Sequence, residues 1–171
     1  MTTQSAAVDA KQFRRVMGKF ATGVTVITFI HEGQVAGMTA NAFMSLSMDP
    51  PMVLISVRTQ SRFATSVGLG DGFGIAFLRE EHEHLSRHFG GRPDPDLALE
   101  FEESNGTPLL PGALVQLAVR ANAIHAGGDH LIYTADIESV QEADGRPLLF
   151  FSGGYKQLHA LDPSHCWSDF G

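Results

Sequence analysis

A mainly β, antiparallel barrel is the fold this sequence predicts, and three observations predict it. β-branched and apolar segments of strand length recur at hairpin-like spacing between Val24 and Phe151. Only a few short stretches carry helical periodicity. No G-x-G-x-x-G lies between a strand and a helix, so a doubly wound dinucleotide fold is not indicated. Closing six or seven such strands into a barrel removes their free edges; a sandwich is the alternative.

The 171 residues suit one domain, and 43% hydrophobic with 18% charged residues is an ordinary globular composition. A formal net charge of -7 argues against nucleic acid as a partner, because phosphate backbones need a basic face. The single cysteine, Cys166, rules out an intrachain disulfide and suits a reducing cytosol, so a cytoplasmic location is expected. Met1 to Ala10 is polar and lacks the apolar centre of a signal peptide. The longest apolar runs, such as Val24 to Ile30, fall short of the ~18 residues of a membrane span, so no membrane is expected.

Residues 1–9 read as a flexible N-terminal segment, 10–158 as the domain and 159–171 as a tail. Phe13, Val16, Met17 and Phe20 make one stripe of an amphipathic helix, with Asp9 as N-cap and Thr22-Gly23 as exit. Val24 to Ile30 predicts a strand, His31 to Gln34 a hairpin loop, and Val35 to Leu46 the returning strand. Asp49-Pro50-Pro51 turns the chain into a third strand, Met52 to Val57, completing a meander. Met38, Ala40, Ala42, Met44 and Leu46 alternate with polar or larger neighbours, the period of a strand with one buried face. A short helix follows at Arg62 to Val67, with Ser61 as a candidate N-cap. Phe73 to Leu78 predicts a strand. Glu80 to Phe89 predicts a helix with Leu85 and Phe89 inward, and residues 97–103 a short helix with Leu97 and Phe101 inward. Residues 113–124 and 131–140 read as long strands flanking Gly127-Gly128-Asp129-His130, and 147–151 as the last.

Three groups of residues carry candidate chemistry. Thr39-Ala40-Asn41-Ala42 puts small side chains and one amide beside Phe43. Such a wall lets a flat ligand approach the backbone and lets an amide read ring heteroatoms; a tightly packed strand crossing gives the same pattern. Thr59-Gln60-Ser61-Arg62, with Ser56 nearby, offers the hydroxyls and guanidinium an anion requires, or an ordinary helix cap. In Gly128-Asp129-His130 the aspartate can fix the tautomer of a histidine that meets a ligand; an aspartate turn with an exposed histidine is the alternative. His82, His84 and His88 suggest a metal only superficially, since no H-E-x-x-H or third ligand accompanies them. No G-x-S-x-G elbow supports a hydrolytic triad.

Taken together, Thr22 to Thr28, Gly37 to Val57, Ser61, Gly128-Asp129-His130 and Pro147 to Tyr155 resemble the flavin reductase-like family of the FMN-binding split barrel. The T-A-N-x-F-x-S-x-S-x-x-P-P pattern is the most specific element of the likeness, which spans roughly residues 10–158. The resemblance implies a split barrel, a homodimer and an NAD(P)H:flavin oxidoreductase that supplies reduced flavin to a partner monooxygenase. FMN or FAD is the implied flavin, and NADH or NADPH the hydride donor. It implies that Thr39, Ala40, Asn41 and Ala42 line the isoalloxazine. Ser56, Val57, Thr59, Ser61 and Arg62 hold the ribityl phosphate. His130 sits by the nicotinamide, while Phe89 and Tyr155 close the pocket. Where the family usually has a glycine after the GDH strand begins, this chain has Ala135. A flavin- or haem-binding split barrel without nicotinamide chemistry is the alternative. An oxidase of a phosphorylated pyridine vitamer and a purely structural barrel are the remaining readings.

Overall fold

The computed structural model describes residues 8–159; residues 1–7 and 160–171, which include Cys166 and all but the first residue of the expected tail, lie outside the described residues. Helix α1 (Ala10–Met17) begins where expected, with Asp9 Oδ2 accepting from the Gln12 N–H at 3.3 Å. It ends at Met17 instead of Phe20, because the Gly18 carbonyl accepts from Ser152 N at 2.7 Å and draws the chain sideways. Thr22–Gly23 is therefore not a helix exit but a short strand, β1, paired with Leu149 and Phe150.

Strands β2 (Thr25–His31) and β3 (Gln34–Ala40) form a hairpin through Glu32 and Gly33, both at positive φ. A second hairpin joins β4 (Phe43–Met48) to β5 (Pro51–Arg58). Next come α2 (Arg62–Ser66), β6 (Gly72–Phe77), and a 3-10 turn at Glu80–His82 that runs into α3 (Glu83–Phe89). The remainder is β7 (Glu102–Ser104), β8 (Thr107–Leu109), β9 (Val115–Gly127), β10 (His130–Glu142), β11 (Leu149–Phe151) and β12 (Gly154–Lys156). The main sheet has seven strands in the order β3-β2-β6-β9-β10-β5-β4.

That order corrects the expected meander. Val35 to Leu46 is not one strand: β3 and β4 lie at opposite edges of the sheet, with only Asn41 and Ala42 between them. Six strand spacings of ~4.8 Å make a flat sheet nearly 30 Å wide, whereas two linking residues reach only about 11 Å from Cα to Cα. The sheet must therefore curl until its edges almost meet. Ala42 fastens the seam by accepting from Ser56 N at 3.1 Å. The barrel is split, not closed. The alternation along this stretch breaks at the same place, since Ala42, Met44 and Leu46 are exposed.

The expected helix over residues 97–103 is absent. Leu97, Leu99 and Phe101 turn inward at every second position of an extended chain that enters the β7–β8 hairpin. Leu97 and Phe101 satisfy a helical spacing as well as an extended one, and the turn at Asn105-Gly106, both at positive φ, favours the latter. Inside the barrel, Phe63 of α2 is fully buried and meets Phe29, Phe73 and Tyr133 edge-on at 5.2, 5.1 and 5.0 Å. A second core packs Leu85 of α3 against Val24, Val26, Leu78 and Leu148 outside the barrel wall. These two cores hold α2 and α3 on either side of β3.

Candidate active site

The split itself is the site. β4 pairs with β5 only as far as Ile55, so Ser56 to Arg58 face the free edge of β3 across a gap. The cleft there holds about 450 Å³ and is lined by Met38 to Asn41, Ser56 to Arg58, Gln60, Ser61 and His130. Thr39, Ala40 and Asn41 also line a second hollow of about 370 Å³ with Ser86 and Tyr155. Small residues on β3 thus form a wall shared by two adjoining spaces.

Each wall is fixed by hydrogen bonds. Thr39 Oγ1 donates to the Ser86 carbonyl at 2.7 Å, and the Ser86 hydroxyl meets the Tyr155 hydroxyl at 2.8 Å. Arg87 lies over the Tyr155 ring, 5.1 Å from its centroid. Ser61 caps α2, its Oγ accepting from Ala64 N at 3.1 Å, which leaves its own hydroxyl proton to donate. His130 pairs across strands with Arg58 and sits beyond a two-residue turn whose Gly128 needs φ +71°. Its Nδ1 is 2.7 Å from Asp129 Oδ1. The hydrogen bond from His130, and then its charge, hold the Asp129 carboxyl below the usual aspartate value. In the neutral ring Nδ1 donates, so Nε2 is an acceptor.

The candidate residues separate as follows. Thr39, Ala40, Asn41, Ser56, Val57, Ser61 and His130 come together in the cleft. Tyr155 closes the hollow on the other side of β3. Arg62 and Phe89 line a neighbouring cleft that opens beside Ser61 and Met38. Ala42 turns into an apolar groove beneath α1. Thr59 is outside the cleft lining; its N–H and Oγ1 both donate to the Asp129 carbonyl, at 3.1 and 3.3 Å, and so brace the turn that carries His130. Sequence reasoning missed Met38 and Arg58, while Gln60, within the Thr59 to Arg62 candidate, does line the cleft. The register of the β5–β10 pair, which opposes Arg58 to His130, is what places Arg58, and no local motif encodes it.

The histidines of the helical segment are held by the backbone. His82 Nδ1 accepts from Arg79 N, His84 Nδ1 donates to the Glu81 carbonyl and His88 Nδ1 accepts from Asp94 N, at 3.4, 3.2 and 2.9 Å. Among the described residues no group of three or more His, Cys, Asp or Glu side chains could hold a metal.

A flat ring system with a short anionic chain is the ligand class this geometry suits: a small-residue wall and an amide, then hydroxyls and Arg58 at one end. The fold and site together define a split-barrel protein with a cleft for a phosphorylated flat cofactor.

The comparisons with known proteins make the class specific. Residues 17–159 match the model of the flavin reductase like domain. An NADH-dependent flavin reductase of Rhodococcus is 39% identical over 174 residues, covering 98% of this chain and 99% of the relative. The reductase component of a 4-hydroxyphenylacetate 3-monooxygenase from Thermus thermophilus is 37% identical, covering 85% of this chain and 95% of the relative. Among solved structures, the styrene monooxygenase flavin reductase of Pseudomonas putida superposes with a TM-score of 0.80 at 31% identity, covering 87% of this chain and 98% of that one. The chain belongs to the flavin reductase-like family.

Proposed function

We propose that the protein is an NADH-dependent flavin reductase in which the flavin lies along β3 and the nicotinamide meets it from beside His130. Bound flavin supplies the hydride acceptor and NADH the donor. The observation that carries this reading is the cleft in which Thr39, Ala40 and Asn41 stand together with Ser56, Ser61 and His130. Two rings can therefore be stacked face to face in one cleft, beside a rigid strand. Such juxtaposition makes a bimolecular transfer effectively unimolecular and needs no nucleophile from the protein.

The residues have distinct roles. Ala40 and Asn41 accommodate the ring and hydrogen-bond its heteroatoms. Ser56, Ser61 and Arg62 take the phosphate, with Arg58 and Gln60 completing that end. His130 accepts the nicotinamide carboxamide N–H on Nε2, its ring orientation set by Asp129. Tyr155, held by Ser86, excludes water from the far side of the wall. Anaerobic mixing of protein, flavin and NADH tests the reading. Loss of the flavin's visible absorbance is expected, and an unchanged spectrum with flavin bound would favour the non-catalytic binding protein.

The relatives named as monooxygenase reductase components support delivery of the reduced flavin to a partner monooxygenase. Homodimerisation is supported by the surface. α1 has no buried residue, Phe20 and Met48 are 78% and 89% exposed, and an apolar groove of about 1010 Å³ runs from α1 to Met44. A second copy covering these faces is the occupant that the family resemblance implies. A cytoplasmic location accords with a single cysteine, and no helix among the described residues is long and apolar enough to cross a membrane.

A further inference from the structure

β3 is an edge strand, bonded to β2 on one side with its other side open to the cleft. Such a strand draws its restraint on the open side from whatever packs against it. At Thr39 that restraint comes from Ser86 of α3, which is 1% exposed. The two oxygens of Ser86 go to two different walls. Its carbonyl accepts from Thr39 Oγ1 at 2.7 Å, and its hydroxyl meets the Tyr155 hydroxyl of β12 at 2.8 Å. The end of α3 frees that carbonyl. Ser86 lies in the last turn, where carbonyls lack a helical partner. The N–H groups of Gly90 and Arg92 both donate to the Arg87 carbonyl, at 3.2 and 3.0 Å, and so leave Ser86 to Thr39. Gly90 also keeps the approach open, since a Cβ there would lie 2.7 Å from the Ser86 carbonyl oxygen. Its φ is negative, so space is what the glycine supplies.

The same turn of α3 holds Tyr155 by its face. Arg87, bonded to Glu83 Oε1 through Nε at 2.8 Å, lies over the Tyr155 ring, and Phe150 meets that ring edge-on at 5.5 Å. Thr39 and Tyr155 therefore sit on separate elements, and their side-chain hydrogen bonds converge on one buried residue. We propose that Ser86 is a positioning residue for flavin reduction: it sets Thr39 and Tyr155 in a common register, so that the ring wall and the closure behind it act on the flavin as one unit. The inference rests on the flavin reading given above.

Flavin binding, not turnover, tests it. The affinity for FMN is measured by fluorescence titration for the wild type, Thr39→Val, Tyr155→Phe and the double variant. Each single substitution should weaken FMN about fivefold, the loss of one neutral hydrogen bond. The double variant should be about as weak as either single one, because effects within one network do not add. Ser86→Ala should match Tyr155→Phe, and combining those two should change the affinity by less than about twofold further. Ser86→Thr keeps the hydroxyl, so in that background Tyr155→Phe should again cost about fivefold, whatever the added methyl costs in packing. Saturable FMN binding shows that each variant is folded. If the Thr39→Val and Tyr155→Phe effects multiply, each residue meets the flavin on its own; the positioning role is then overturned and the flavin reading stands. Wild-type affinity in Ser86→Ala, or a full effect of Tyr155→Phe in its presence, would overturn it equally. A wild type that binds no flavin would overturn both readings.

Discussion

Asp129 and His130, neighbours in sequence, are joined by a 2.7 Å hydrogen bond that fixes which imidazole nitrogen meets the cleft. Orientation, not proton transfer, is the role this gives His130. His130→Ala should raise the KM for NADH severalfold, the loss of one positioning hydrogen bond, while changing flavin affinity by less than about twofold. Steady-state kinetics and a flavin titration check this, and equal loss of both would remove the histidine from the nicotinamide side.

The same pair has a pH signature. Asp129 is held below its ordinary value, so the stability it contributes is fully present above the unfolded aspartate pKa of about 3.9 and lost as pH falls through the lower folded value. The difference in urea midpoint between the wild type and Asp129→Asn should be constant through neutral pH and shrink in acid. Urea titrations at several pH values measure it. A difference that grew in acid would contradict the pairing.

At the phosphate end, Arg62→Ala should weaken FMN more than riboflavin, because only FMN carries the anion that a guanidinium recognises. A change of about tenfold in the affinity ratio is expected for one charge-assisted contact. Fluorescence titration with both ligands gives the ratio directly, and an unaltered ratio would take Arg62 out of the site.

Gly37 exists for Phe89. A methyl group there would lie 2.6 Å from the ring, so Gly37→Ala must push Phe89 away or move β3. Overpacking of this kind costs about 1–3 kcal/mol, readable as a lower urea midpoint. A variant of unchanged stability would mean that Phe89 moves freely.

Much of this was legible in the sequence, and what was not has a physical reason. The Asp9 and Ser61 caps, the β2–β3 hairpin and the Gly128-Asp129 turn are encoded by residues within a few positions of each other. The separation of β3 from β4 is not, because only pairing with distant strands decides which edge each occupies. Asn41 and Ala42 fit equally well inside one strand or as the seam between two. The β7–β8 hairpin carried a local Asn105-Gly106 signal that was passed over for the helical spacing of Leu97 and Phe101. Within the site, Thr39 to Asn41 and His130 were readable from residue type. Arg58 was not, since it enters through the β5–β10 register, and Thr59 proves to brace the turn.

The self-interface has its own test. Replacing Phe13 with Asp puts a charge on the exposed apolar face of α1, where it cannot disturb a buried core. Sedimentation should show the wild type at twice the monomer mass and the variant largely monomeric. A monomeric wild type would contradict a dimer across this face.

The central claim is that a nicotinamide and a flavin are held in fixed register against β3. Single-turnover flavin reduction under anaerobic conditions, with NADH deuterated at one or the other C4 face, tests it most directly. Fixed register predicts that deuterium on one face slows the loss of flavin absorbance severalfold and deuterium on the other leaves it unchanged. Equal slowing from both faces would mean that the rings meet without the orientation this cleft imposes.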